Sequence, residues 1–204
     1  MPTRNRSGVT LAELLVVLII LAAVAGTVIP MVADSLDHSA QATTEASMAS
    51  IRDAILGSGD QPGYFADLGT LPVSVADLFD VPSTLPVQLQ TFDANTRLGW
   101  RGPYLRHSGA TYAVNSSTGF SALYGADGTP TVKDSWSNPI VIQWPSFAGS
   151  TNPGLPSLYA RVVSAGPDGI LQTPIATPTG QFFPSRADCG DDIVLFLRVA
   201  DGRP

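Results

Sequence analysis

Cys189 is the only cysteine among the 204 residues, so no internal disulfide can form and the fold must be held by packing, a metal or neighbouring chains. Basic residues are scarce. Lys+Arg total 11 against 17 Asp+Glu, the formal net charge is -6, and Lys133 is the one lysine. Such a surface repels phosphate backbones, so no nucleic-acid partner is expected. Catalytic signatures are missing too. There are two histidines, no Gly-x-Ser-x-Gly, no glycine-rich phosphate loop after a strand, and no EF-hand run. His38 sits between the faces of a helical pattern, and nothing in the spacing joins His107 to a serine and an acid. Cys189 has no basic neighbour closer than Arg186 to activate it. An enzyme is therefore not expected.

What the chain does have is unevenly placed. Hydrophobic residues make up 44% and charged residues 14%, and much of the oil is at the start. Leu14 to Val32 carries no charge. At 1.5 Å per residue it spans roughly 30 Å, the thickness of a bilayer core. Arg4 and Arg6 precede it, which places the N-terminus in the cytoplasm and the bulk of the chain across the membrane. A secretory signal peptide would have a shorter core and a small-x-small cleavage site. "VAG" at 24–26 could be read that way, but the run continues through it. A plain anchor explains the length but not Glu13, because a carboxylate in lipid costs a few kcal/mol.

"SGVTLAELLVVLIILAAVAG" resembles the class III leader of type IV pilins and pseudopilins. The resemblance implies a leader Met1–Gly8, cut by a prepilin peptidase between Gly8 and Val9. It implies N-methylation of the new N-terminus, Val9. It makes Glu13 the fifth mature residue and Pro30 the proline often found at mature position 22. In that family's assembly model the fifth-residue glutamate pairs with the N-terminal amine of the neighbouring subunit. Opposite charges attract strongly in a low dielectric, so Glu13 would select docked subunits over free ones.

After Pro30 the pattern turns amphipathic. Leu36, Ala40, Thr44, Met48, Ile51 and Ile55 recur at helical steps, opposite Asp34, Asp37, Gln41, Glu45 and Asp53. Gly57-Ser58-Gly59 supplies a stop. A continuous helix over 9–57 would reach about 70 Å, with Pro30 kinking or locally melting it. The 17 prolines and 19 glycines predict a loop-rich head over 58–204. "LPVSVADLF" predicts a short helix capped by Ser74. "PIVIQW" (139–144), "LYARVVS" (158–164) and "DIVLFLRV" (192–199) predict strands, with "TYAVN" (111–115) a weaker fourth. Residues 171–190 predict a long loop. The expected fold class is α+β, a long helix on a small antiparallel sheet.

Three further motifs occur in order: "GWRGPYL" (99–105), "DSWSNPI" (134–140) and "SAGPDG…DDI" (164–169, 191–193). Together they resemble the major pseudopilin of type II secretion, with extra residues around 107–133, 145–157 and 171–187. That resemblance implies a calcium site. Ser164, Asp168, Asp191 and Asp192 would be its ligands, with the Val163 carbonyl nearby. The chemistry agrees, since Ca²⁺ takes six to eight oxygens and gathered carboxylates repel without a cation. By contrast "GADG" (125–128) reads as a turn. Trp136 is expected in the core beneath the sheet, Asn138-Pro139 as a turn, and Tyr104 packed inward.

The expected function is a filament subunit, inserted in the bacterial inner membrane with its head in the periplasm. Its partners would be other copies of itself, prepilin peptidase, minor pseudopilins and an inner-membrane assembly platform. Two alternatives stay open: a type IV pilus subunit at the cell surface, and a membrane-tethered binding domain that never polymerises.

Overall fold

The computed structural model describes residues 11–144, 146–147, 160–177 and 185–197. Gly8 and Val9 lie outside them. The chain forms two compact units, Met1–Ala40 and Gln41–Pro204. Helix α1 (Leu11–Leu56, 46 residues) begins in the first and ends in the second. It keeps its helical assignment across residue 30, so the local melting expected at Pro30 is not observed. One missing N–H removes one hydrogen bond, which the flanking turns tolerate.

In the first unit the window Leu11–Val28 has a mean hydropathy of 2.6, and none of it is buried by the chain itself. It is long and apolar enough to cross a membrane. Leu36 is 65% exposed, so the amphipathic stripe does not reach packing partners there. In the second unit the stripe is buried. Thr44, Met48, Ile51 and Ile55 have no exposed surface, at helical spacing. Gly57 ends the helix at φ +94, where a Cβ would lie 2.7 Å from the Gln61 carbonyl oxygen. A tiny hairpin follows, β1 (Gly57–Ser58) against β2 (Gln61–Pro62), then α2 (Tyr64–Leu68). The predicted short helix is a 3-10 turn, Val75–Leu78, whose Asp77 carboxylate accepts from the Val73 and Ser74 N–H groups.

The main sheet has three antiparallel strands in the order β3 (Val141–Gln143), β5 (Arg161–Ser164), β7 (Ile193–Phe196). In register, Gln143 faces Arg161, and Ser164 faces Ile193. A separate parallel pair joins β4 (Ser146–Phe147) to β6 (Ala176–Thr177). Strand alternation sends Ile142 and Val162 to one face, where they pack with Met48, Ile51 and Ile55 of α1. Val141 and Val163 go to the other face, beneath Tyr112, Phe120 and Tyr124. With both faces covered, the strands read as near-continuous hydrophobic runs rather than alternating ones. The weaker strand "TYAVN" is not formed. Thr111 and Asn115 make only isolated bridges, to Pro130 and Phe120, because this segment wraps over the sheet instead of joining its edge. The architecture is a long helix with a small antiparallel sheet, an α+β layout consistent with a pilin-like fold.

Candidate functional site

The candidate residues fall in two regions, one in each unit. In the first, Glu13 stands in the opening turn of α1, where a negative charge favours the helix dipole. The exposed apolar turns that follow give the chain nothing of its own to bury them against.

In the second unit the head motifs meet around the sheet. Asp134 is the buried member of "DSWSNP". Its Oδ1 accepts from the N–H groups of Trp136 (2.9 Å) and Asn138 (2.8 Å). Its Oδ2 accepts from the Ser164 hydroxyl at 2.7 Å. Asn138 Nδ2 donates to the Gly166 carbonyl at 3.1 Å. So the motif folds into the expected turn and ties it to the end of β5. Trp136, however, is only half-buried and lies outside both core clusters. The two N–H bonds to Asp134 set the turn, and that turn carries Trp136 outward.

The loop after β5 and the entry to β7 are joined by hydrogen bonds involving Asp168, Asp191 and Asp192. Asp168 Oδ1 accepts from the Ile170 N–H (2.7 Å) and Oδ2 from Gln172 Nε2 (2.7 Å). Asp191 Oδ2 accepts from the Asp168 N–H at 3.1 Å. Asp192 Oδ2 accepts from the N–H groups of Gln172 (2.9 Å) and Thr173. Its Oδ1 is buried with no hydrogen-bond partner. Burial raises the Asp192 carboxyl above the ordinary range, the bonds from Thr173 and Gln172 pull it down, and Asp191 raises it further. Ahead of this loop, Gly190 approaches Gln172 so closely that a Cβ would lie 1.3 Å from Oε1. Part of the predicted loop 171–190 is ordered structure: β6 and a short helix, α3 (Arg186–Cys189), whose Asp188 forms a capping box with Ser185.

A calcium ion can be tested on this donor set. All the groups are hard oxygens of the kind calcium takes, and Asp192 Oδ1 is buried without a geometric hydrogen-bond partner. Among the described residues no three His, Cys, Asp or Glu side chains are gathered into a ready cage. Ser164 points its hydroxyl hydrogen at Asp134, and Asp168 is occupied by Ile170 and Gln172. The donor chemistry is of the kind calcium takes, and the candidate oxygens of Asp168, Asp191 and Asp192 are engaged by the protein's own N–H groups.

Two buried charged groups were not foreseen from the sequence. Asp67 in α2 is held by Arg101 (3.0 Å) and by the Tyr104 hydroxyl (3.0 Å), so "RGPY" works as its clamp. Tyr104 packs inward as expected, edge-on to Tyr64 and Trp100, and burial pushes its hydroxyl up to about 12. Arg161 has no exposed surface, and burial pulls its guanidinium down. "GADG" is a turn, with Asp127 Oδ1 accepting from the Val114 N–H at 3.1 Å. His107 stacks on Phe79 (4.8 Å) and lies 3.8 Å from Asp80.

Residues 3–29 match the family model described as the prokaryotic N-terminal methylation motif. Neither a curated protein nor a solved structure matches the chain. The motif supports a type IV pilin-like subunit, made as a precursor for prepilin peptidase and anchored through its N-terminal helix.

Proposed function

We propose that the chain is a structural subunit of the pseudopilus of a type II protein secretion system. One observation carries this reading: the methylation motif at 3–29 runs straight into a helix whose apolar turns its own chain leaves bare. Such a surface needs lipid before assembly and neighbouring helices after it. Cleavage after Gly8 frees Val9 for methylation. Glu13 then recognises the amine of the next subunit, and Pro30 adapts the helix to packing. The secretion assignment over a pilus rests on the order of "GPYL", "DSWSNP", "SAGPDG" and "DDI", and on the way Asp134 joins the second motif to the third. The subunit would polymerise with itself beside minor pseudopilins and an inner-membrane assembly platform, with its head in the periplasm. It performs no catalysis of its own.

The head takes up calcium in this reading, held by Ser164, Asp168, Asp191 and Asp192. Bound there, the ion supplies positive charge to the gathered carboxylates and staples two loops that no disulfide can join. The protein's own groups set the stage: Asp134 orients Ser164, while Gln172 links Asp168 to Asp192.

Glu13→Leu tests the assembly role. The variant should still be cleaved and inserted, measured by membrane fractionation and the shift of the processed band. Cysteine crosslinking between neighbouring helices should drop to the monomer level. Wild-type crosslinking by this variant would sink the proposed role of Glu13.

A further inference from the structure

Gln143 and Arg161 have no part in the assembly reading, yet both side chains are fully buried opposite each other in β3 and β5. Arg161 has no carboxylate within ion-pair distance among the described residues. A buried guanidinium is expensive to hold even with Asp192 near enough to favour its charge, so its donors are spent on specific partners, Nη1 excepted. Arg161 Nε donates to Gln143 Oε1 at 2.9 Å, and Nη2 donates to the Pro174 carbonyl. Gln143 Nε2 donates to the neighbouring Thr173 carbonyl at 3.0 Å. The same stretch gives its N–H groups to the other side: Gln172 and Thr173 both donate to Asp192 Oδ2. Gln172 Nε2 continues the chain to Asp168.

We infer that Gln143 and Arg161 form a buried latch that fixes segment 172–174 and, through it, positions the Asp192 and Asp168 carboxylates. The latch grips carbonyls, and the carboxylates take the N–H groups of the same short segment. Loosening one side therefore releases the other. A second observation points the same way. Of the four buried side-chain polar atoms without a partner among the described residues, three, Arg161 Nη1, Thr173 Oγ1 and Asp192 Oδ1, belong to this one network. Both residues are positioning residues. Their effect on ion affinity rests on the calcium reading; the latch itself does not.

The test uses the full-length protein in detergent micelles. Gln143→Glu keeps the size and the acceptor for Arg161 Nε, gives that guanidinium a carboxylate partner, and removes the donor to the Thr173 carbonyl and the Tyr124 hydroxyl. Amide exchange is read by NMR in chelator. Loss of one such bond should speed exchange at Thr173 by roughly fivefold, while Val162 and Val163 hold their rates. Arg161→Lys, which cannot span Gln143 and Pro174 together, should act in the same place and serves if the first variant does not fold. Val141→Ala, a control on the same sheet face, should leave the ratio of Thr173 to Val163 exchange unchanged. Unchanged Thr173 exchange in a folded variant overturns the latch. So does a uniform rise across β5, which marks a merely structural role. Terbium titration of the same samples should show a weakened Kd by a similar factor. If wild type binds neither terbium nor calcium, the calcium reading fails while the exchange result still decides the latch.

Discussion

Adding calcium should raise the melting temperature of the folded head, and the size can be worked out. An ion that binds only the native state at 100 times its Kd contributes about 2.7 kcal/mol. The unit Gln41–Pro204 is in the size range where 1 kcal/mol shifts Tm by about 2–4 °C. The expected rise is therefore roughly 5–11 °C. It should be read by near-ultraviolet circular dichroism in micelles, in chelator and in excess calcium. Magnesium should do much less, because it demands near-ideal octahedral geometry and dehydrates reluctantly. Asp192→Asn should abolish the rise, since it removes the charge on the one buried, unpartnered carboxylate oxygen. It should leave the chelated protein at least as stable, because burial already disfavours that charge and an amide oxygen can still accept from Gln172 and Thr173. A Tm that moves by less than about 1 °C between chelator and calcium, far below the rise expected from mass action, refutes the calcium site.

The helix–sheet seam should be costly to thin. Ile51→Ala should lose about 2–5 kcal/mol in urea unfolding, whereas Leu36→Ala, exposed, should stay within about 0.5 kcal/mol. Arg101→Ala leaves the buried Asp67 carboxylate to Tyr104 alone and should cost about 1–3 kcal/mol, with Asp67→Asn recovering part of it. Alkali should unfold the head. Tyr104 and Tyr112 are raised by burial to about 12, so the stability they contribute is intact below their unfolded value of 10.0 and is lost as pH climbs from 10.0 to about 12. A flat Tm across that window contradicts this.

Much of this was legible because it is local. The apolar run, the stop at Gly57, the cap at Ser74 and three β-branched strands each declare themselves within a dozen residues. The same locality explains the misses. "TYAVN" has strand composition, but its fate depended on whether a sheet edge was free to take it. Leu36 fits the helical stripe, but periodicity cannot say where packing partners begin. Trp136 looked like core by type, while Asp134 two residues earlier took the buried place through bonds to Trp136, Asn138 and Ser164. The Arg161–Gln143 pairing depends on strand register, which composition does not encode. Of the candidate ligands, Asp191 takes the Asp168 N–H, Asp192 takes those of Gln172 and Thr173, and Ser164 turns to Asp134, each held by protein groups that no motif announces.

The second core cluster bears on how short such a head can be made. Residues 107–133 look like a removable insertion when the chain is set beside the motifs it resembles. Yet Tyr112, Phe120 and Tyr124 are what cover Val141, Val163 and Ala165. Trimming that segment would not yield a minimal domain. It would strip the roof from one side of a three-stranded sheet and leave a bare oily floor ready to stick to the next molecule. The segment is thus an insulating layer over one face of the sheet.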